Sequence, residues 1–111
     1  MTSLDPESGY VVLINTFTVQ PDRAEELLAA LSHATAHGMR QRPGFVSANL
    51  HMSHDRRHVA NYVQWRSKAD LDAMMSDPAA QEHMRLTAAT ALSFEPIYYE
   101  LRESHAAAGS I

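Results

Sequence analysis

There is no cysteine anywhere in the 111 residues, which excludes disulfides, thiolate nucleophiles and Cys-ligated zinc or iron–sulfur sites. Positive charge is also scarce: nine Lys and Arg stand against thirteen Asp and Glu, a net −4. Neutralising phosphates needs the opposite balance, so no nucleic-acid partner is expected. No run approaches the roughly 20 apolar residues of a membrane span, so no membrane partner is expected either. The opening "MTSLDPESGY" has neither the basic stretch nor the apolar core of a signal peptide, and a cytoplasmic location is the expectation. Glycine is limited to four residues with no GxGxxG fingerprint, and neither a P-loop nor a Ser-His-Asp arrangement is present. A chain that is 45% hydrophobic and 20% charged is nonetheless ordinary globular material, of a length suited to one domain with one core.

What is present alternates between strand and helix patterns. "YVVLINTFTV" (10–19) reads as a strand with few polar interruptions on either face. "QPDRAEELLAALSHATAHGMRQ" reads as a helix, with Pro21 in its first turn, Asp22, Glu25 and Glu26 at the positive end of its dipole, and an apolar stripe of Ala24, Leu27, Leu28, Leu31 and Thr35. "RPGF" leads into a strand "FVSANLHM", then the polar turn "SHDRR", then the strand "VANYVQW". Ser67 with Asp70 resembles a capping box opening a short helix, and Asp77-Pro78 restarts a helix expected to run to about Leu92. Glu95 and Pro96 break it before a last strand, "IYYELR". Residues 1–9 and 103–111 are expected to be flexible tails around a domain at 10–102.

This β-α-β-β-α-β order fits an α+β, ferredoxin-like layer: a four-stranded antiparallel sheet with its helices on one face. The first strand is apolar on both sides, so its second side needs a cover. A second copy pressing its own sheet against this one, a homodimeric α+β barrel, meets that need.

Two asparagines interrupt the apolar pattern. Asn15 shares a strand face with Val11, Leu13, Phe17 and Val19, and Asn61 shares one with Val59, Val63 and Trp65. The topology makes these two strands central neighbours, so both amides and the indole are expected to meet beneath the helices, with Phe17 beside them. Asn supplies two donors and an acceptor and Trp one donor, the few polar groups that an aromatic ligand in an apolar pocket requires. Alternatively, the amides bond each other or the backbone and only set register.

The second long helix has its stripe at Ala80, Met84, Thr87 and Ala91, which puts His83 at the margin and Arg85 on the exposed side. His51 ends its strand on the face of Phe45, Ser47 and Asn49, within possible reach of the pocket mouth. His33 and His37 have chelating spacing but lie opposite the Leu stripe. His51, His54 and His58 point in different directions, so no metal site is expected.

Taken together, "QPDRAEELLAAL", "RPGFVSANLH", "NYVQWRSKADL" and "DPAAQEHMRL" resemble the antibiotic-biosynthesis monooxygenase domain family over about residues 10 to 102. "NYVQW", with His51 before it and Arg85 after it, is similar to the cofactor-free anthrone monooxygenases of aromatic polyketide pathways, the actinorhodin type. The resemblance implies Asn61, Trp65 and Arg85 as pocket residues, with no cofactor. It also implies a pocket tyrosine where this chain has Leu71. The family's haem-degrading branch uses an Asn, a Trp and a His. Asn15 and His83 match two of those positions, but the third falls near Met74, which disfavours haem cleavage.

The implied chemistry needs only a small aromatic substrate and molecular oxygen. A deprotonated phenolic anthrone is its own reductant, and the protein stabilises the anion, holds it beside oxygen and excludes water. Asn61 and Trp65 are expected at the oxyanion, Arg85 at a peroxy intermediate, and His83 or His51 as the proton acceptor in place of the tyrosine. Asn15, Phe17, Leu71 and Met74 are the expected substrate contacts. The competing expectations are another enzyme on the same fold (quinol oxygenase, haem-degrading oxygenase or polyketide cyclase) and a non-catalytic ligand-binding barrel.

Overall fold

The computed structural model describes residues 9–109. The two strands with interrupted apolar faces, β1 (Val11–Thr18) and β3 (His58–Trp65), lie side by side at the centre of a four-stranded antiparallel sheet. The flanking strands are β2 (Phe45–Met52), paired with β3, and β4 (Ser93–Glu100), paired with β1. The order β2-β3-β1-β4 is the expected ferredoxin-like layer.

Three helices complete it: α1 (Ala24–His37), α2 (Lys68–Ser76) and α3 (Pro78–Thr87). Their buried residues pack on the sheet face that carries Leu13, Phe17, Val59, Val63 and Trp65. Ala24, Leu27 and Leu31 of the expected α1 stripe are buried, and Thr35 turns its hydroxyl back to the Leu31 carbonyl at 3.0 Å. Ser67 caps α2, accepting from the Asp70 amide at 3.1 Å and donating to the Asp70 carboxylate at 2.9 Å. Asp77 separates α2 from α3. Its extended backbone precedes Pro78, which disfavours helix there. One carboxylate oxygen accepts from the Ala79 amide at 3.0 Å and the other from Arg42 at 2.8 Å.

Gly44 pins the entry to β2. It sits at φ +82, where a side chain is strained, and an added Cβ would collide with the Asp70 carboxylate. Its carbonyl accepts from the Arg66 amide at 2.7 Å, which ties the start of β2 to the end of β3.

Four local expectations change. The helix read over 20–41 is α1 (Ala24–His37) between two 3-10 turns, Pro21–Arg23 and Met39–Gln41. Strand β4 starts at Ser93 and passes through Pro96 instead of starting after it, because an edge strand tolerates a residue with no N–H. Helix α3 ends at Thr87 in a 3-10 turn, Ala88–Thr90, short of Leu92. A bulge between Phe45 and Ser47 also changes which face the rest of β2 presents. Of the expected tails, residues 1–8 and 110–111 lie outside the described residues, and 101–109 contains neither helix nor strand. No helix among the described residues is long and apolar enough to cross a membrane.

Candidate active site

The register of the two central strands places Asn15 directly opposite Asn61. Their Cα atoms are therefore within about 4.5–5.5 Å of each other. This pair divides the core. On one side Phe17, Val19 and Val59 pack with Ala24, Leu27 and Leu31 of α1. On the other, Leu13, Val63 and Trp65 pack with Leu71, Met74 and Ala80 of α2 and α3. Between them is a cavity of about 400 Å³. Its floor is Leu13, Asn15 and Phe17 of β1 with Asn61, Val63 and Trp65 of β3, and the exposed residues His83, Arg85 and Phe94 stand at its rim.

Three polar atoms in that floor are buried without a hydrogen-bond partner among the described residues: Asn15 Oδ1, Asn61 Oδ1 and Trp65 Nε1. Each unsatisfied group costs about 1–3 kcal/mol. Three of them are a large burden on a domain whose whole stability is of the order of 5–15 kcal/mol. A cavity beside them, large enough for a small organic molecule, gives them partners when it is filled. The indole is fully buried, and Phe45 meets it edge-on with ring centroids 5.7 Å apart. Its N–H direction is thus set by packing. Either amide can present a donor or an acceptor, since a half-turn about its last side-chain bond exchanges them. The site therefore suits a molecule with a carbonyl or phenolate oxygen on one edge.

The expected residues divide as follows. Asn15, Asn61, Trp65, Phe17 and Met74 line the cavity together. His83 lines it from the rim of α3. Arg85 also lines it, but its guanidinium turns outward to Glu82, with contacts of 2.6 and 3.0 Å. Hydrogen bonding between the two holds the Glu82 carboxyl below its usual range and raises the Arg85 guanidinium further.

His51 is excluded from the pocket. The β2 bulge leaves Phe45 on the helix side beside Trp65 but pairs Ser47, Asn49 and His51 with Gln64, Tyr62 and Ala60, on the opposite face of the sheet. There His51 is exposed and its Nδ1 lies 3.2 Å from the Asn49 carbonyl. Leu71 is fully buried in the core beneath α2 and does not line the cavity. His33 and His37 lie on the exposed face of α1 with tilted rings whose centroids are 4.3 Å apart, and no group of three or more potential ligands that could hold a metal ion occurs among the described residues.

Sequence reasoning missed most of the cavity's methionines. Met39, Met75 and Met84 line it with Met74, four of the six in the chain. Their number was the available signal, because an unbranched thioether adapts to a ligand's shape.

A ferredoxin-like layer whose buried unpartnered side-chain atoms, among the described residues, all face an apolar cavity belongs to the class of small-molecule enzymes and binders built on that fold. Within that class, the chain belongs to the antibiotic biosynthesis monooxygenase family, whose model matches residues 10–86. It is 38% identical over 107 residues to the tetracenomycin-F1 monooxygenase of Streptomyces glaucescens, an alignment covering 96% of this chain and 95% of that protein. Its fold superposes on a monooxygenase from ActVA-Orf6 of Streptomyces coelicolor, solved in complex with nanaomycin D, with a TM-score of 0.80 and 26% identity over 94% of this chain and 96% of that one. SnoaB, a cofactor-independent oxygenase from Streptomyces nogalater, shares the fold with a TM-score of 0.76 and 20% identity over 86% of this chain and 96% of that one. The protein is an enzyme, an oxidoreductase that uses molecular oxygen.

Proposed function

We propose that this enzyme oxidises a phenolic polycyclic aromatic polyketide intermediate of the anthrone type to the quinone, with molecular oxygen and no cofactor. The observation that carries the reading is the trio of unpartnered atoms, Asn15 Oδ1, Asn61 Oδ1 and Trp65 Nε1, in the floor of an otherwise apolar cavity. The relatives' names support it: one is a tetracenomycin-F1 monooxygenase, another was solved with nanaomycin D, and a third is called cofactor-independent.

The steps balance without an external reductant. The anthrone CH2 loses a proton, and the resulting enolate spreads its charge onto the oxygen held by the Asn61 amide and the Trp65 indole. The carbanion passes one electron to O2, and recombination forms the C–O bond of a peroxide. Loss of the second hydrogen from that carbon, with cleavage of O–O, makes the new carbonyl and releases water: CH2 and O2 become C=O and H2O. His83 is the proton acceptor in this scheme, since His51 is on the other face of the sheet. Arg85 meets the peroxide only after leaving Glu82.

The reading includes a homodimer and a cytoplasmic location. The sheet face opposite the helices carries Ile14 of β1 beside Ile97 and Tyr99 of β4, the last two 40% and 46% exposed. A second sheet laid on that face would cover them. Sedimentation should give the mass of two chains, and Tyr99→Glu should shift it to one.

The direct test is aerobic incubation of chelator-treated protein with a 1,8-dihydroxyanthrone, recording quinone absorbance and oxygen uptake together. Equimolar quinone and oxygen consumption well above the spontaneous rate is expected. A rate equal to the background, or one restored only by added metal or flavin, overturns the reading.

A further inference from the structure

The two walls of the substrate cavity differ in kind. Its buried unpartnered polar atoms, Asn15 Oδ1, Asn61 Oδ1 and Trp65 Nε1, all come from the sheet. The helical side contributes four of the chain's six methionines: Met39 from the 3-10 turn after α1, Met74 and Met75 from α2, and Met84 from α3. Met74 is buried, and the other three are partly buried against the same cluster as Trp65. Packing alone does not call for methionine at so many of these positions, because leucine fills a helical core with better-defined rotamers.

The backbone that carries these side chains is braced. Gln81 Nε2 donates to the Met75 carbonyl at 2.8 Å and so ties α3 to the last turn of α2. At the joint between those helices, Asp77 is held by Arg42 and by the Ala79 amide. Adaptation on this wall therefore falls to the side chains. An unbranched thioether with three rotatable bonds re-forms around ligands of different outline. Methionine-rich surfaces of this kind serve binders that accept several partners. A rigid apolar pocket, by contrast, separates ligands that differ by one methylene by about 10–200-fold.

We infer that the methionine wall sets substrate breadth: the cavity takes three-ring and four-ring oxygenated aromatics with comparable affinity. The sheet holds the oxygenated edge, and the methionines yield to the ring system that lies beyond it. The inference rests on the reading that the cavity binds a polycyclic aromatic, and not on that aromatic being oxidised.

Binding of quinones tests it without turnover. Trp65 is the chain's single tryptophan and lines the cavity floor, so a bound quinone should quench its emission. The probes are 1,8-dihydroxyanthraquinone and a dihydroxytetracenequinone, which is one ring longer. In the native enzyme their Kd values should differ by less than about tenfold, the lower limit for a rigid pocket. A larger difference, or no quenching by either quinone, overturns the inference before any variant is made. The double variant Met75→Ile and Met84→Ile replaces two of the flexible side chains by ones with a single strongly preferred helical rotamer. Relative to the three-ring quinone, it should bind the four-ring quinone at least about tenfold more weakly than the native enzyme does. Met75→Ile alone should show part of that shift, which keeps the test available where the double variant does not fold. Met52→Ile, a methionine of β2 that does not line the cavity, should keep the native ratio. A native ratio in the folded cavity variants overturns the inference. Comparable binding of both quinones without oxidation of an anthrone would refute the proposed reaction and leave the breadth standing.

Discussion

Asn61 and Gln64 are three residues apart on the same strand, point to opposite faces of the sheet, and differ in how they are satisfied. Gln64 is only 2% exposed, yet its Oε1 accepts from the Ser47 hydroxyl at 2.9 Å. Asn49 closes that network, donating to Ser47 at 3.2 Å and to the Tyr62 carbonyl at 3.0 Å. On the helix face, Asn61 and its cross-strand partner Asn15 leave both amide oxygens without a bond, and the Trp65 N–H beside them is equally open. A buried amide is thus no sign of a site by itself. One whose partners come from the fold contributes stability, and one without partners awaits a ligand.

Removing the open amide should affect turnover and leave the fold intact. Asn61→Ala should lower kcat by about 10²–10³-fold, the usual cost of one oxyanion donor. Its melting temperature should not fall below the native value by more than the small packing loss, because no protein hydrogen bond is lost; a large fall would mark the amide as structural.

Gln64→Ala should do the reverse. It strips the Ser47 hydroxyl of its acceptor and should cost about 1–3 kcal/mol. In a domain of this size each kcal/mol lowers the melting temperature by about 4–8 °C. Turnover per folded molecule should stay near native, and steady-state assays beside calorimetry separate the two effects.

A smaller effect is expected at the rim. Glu82→Gln releases Arg85 from its ion pair and frees it to turn toward the cavity. Turnover should rise by a few-fold and depend less on salt than in the native enzyme, measured as kcat from low to moderate ionic strength.

The smallest effect concerns Asp77, a polar group whose partner, like that of Gln64, lies within the fold. The hydrogen bond from Arg42, followed by that from the Ala79 amide, holds its carboxyl below the ordinary 3.8. A depressed folded-state pKa contributes stability that is complete above the unfolded value and lost as pH falls through the folded one. Denaturant titrations from pH 5 downward should therefore show a shallower acid limb in Asp77→Asn. Between pH 6 and 8 its turnover should match the native enzyme.

Much of this was legible along the chain. The alternation of β1 and β3 put Asn15, Asn61 and Trp65 on one face, and the order of elements made those strands neighbours. The "SHDRR" turn forms as read, with the Ser53 hydroxyl donating to Asp55 at 2.7 Å and receiving the His58 amide at 3.0 Å. His51 was misplaced because one extra residue near Val46 reverses the facing of the strand after it, and nothing in the local pattern announces a bulge. Pro96 looked like a strand breaker because composition does not say which strand will lie at the edge. Leu71 was assigned to the pocket through the family's tyrosine, yet a leucine there joins the core beneath α2.

Periodicity, caps and turn residues act over a few neighbours, so the order of strands and helices and the facing of most side chains were already settled in the one-dimensional chain. The sequence also identified the amides and the indole as the groups needing an explanation. Whether those groups would be paired or left open depended on contacts between segments far apart in the chain. Gln64 meets Ser47 seventeen residues away, whereas Asn15 and Asn61, paired across the two central strands, turn unpartnered amide oxygens to the cavity. Hydrogen-bond satisfaction and cavity shape are properties of three-dimensional packing, and on this sheet they separate the structural amide from those that await a substrate.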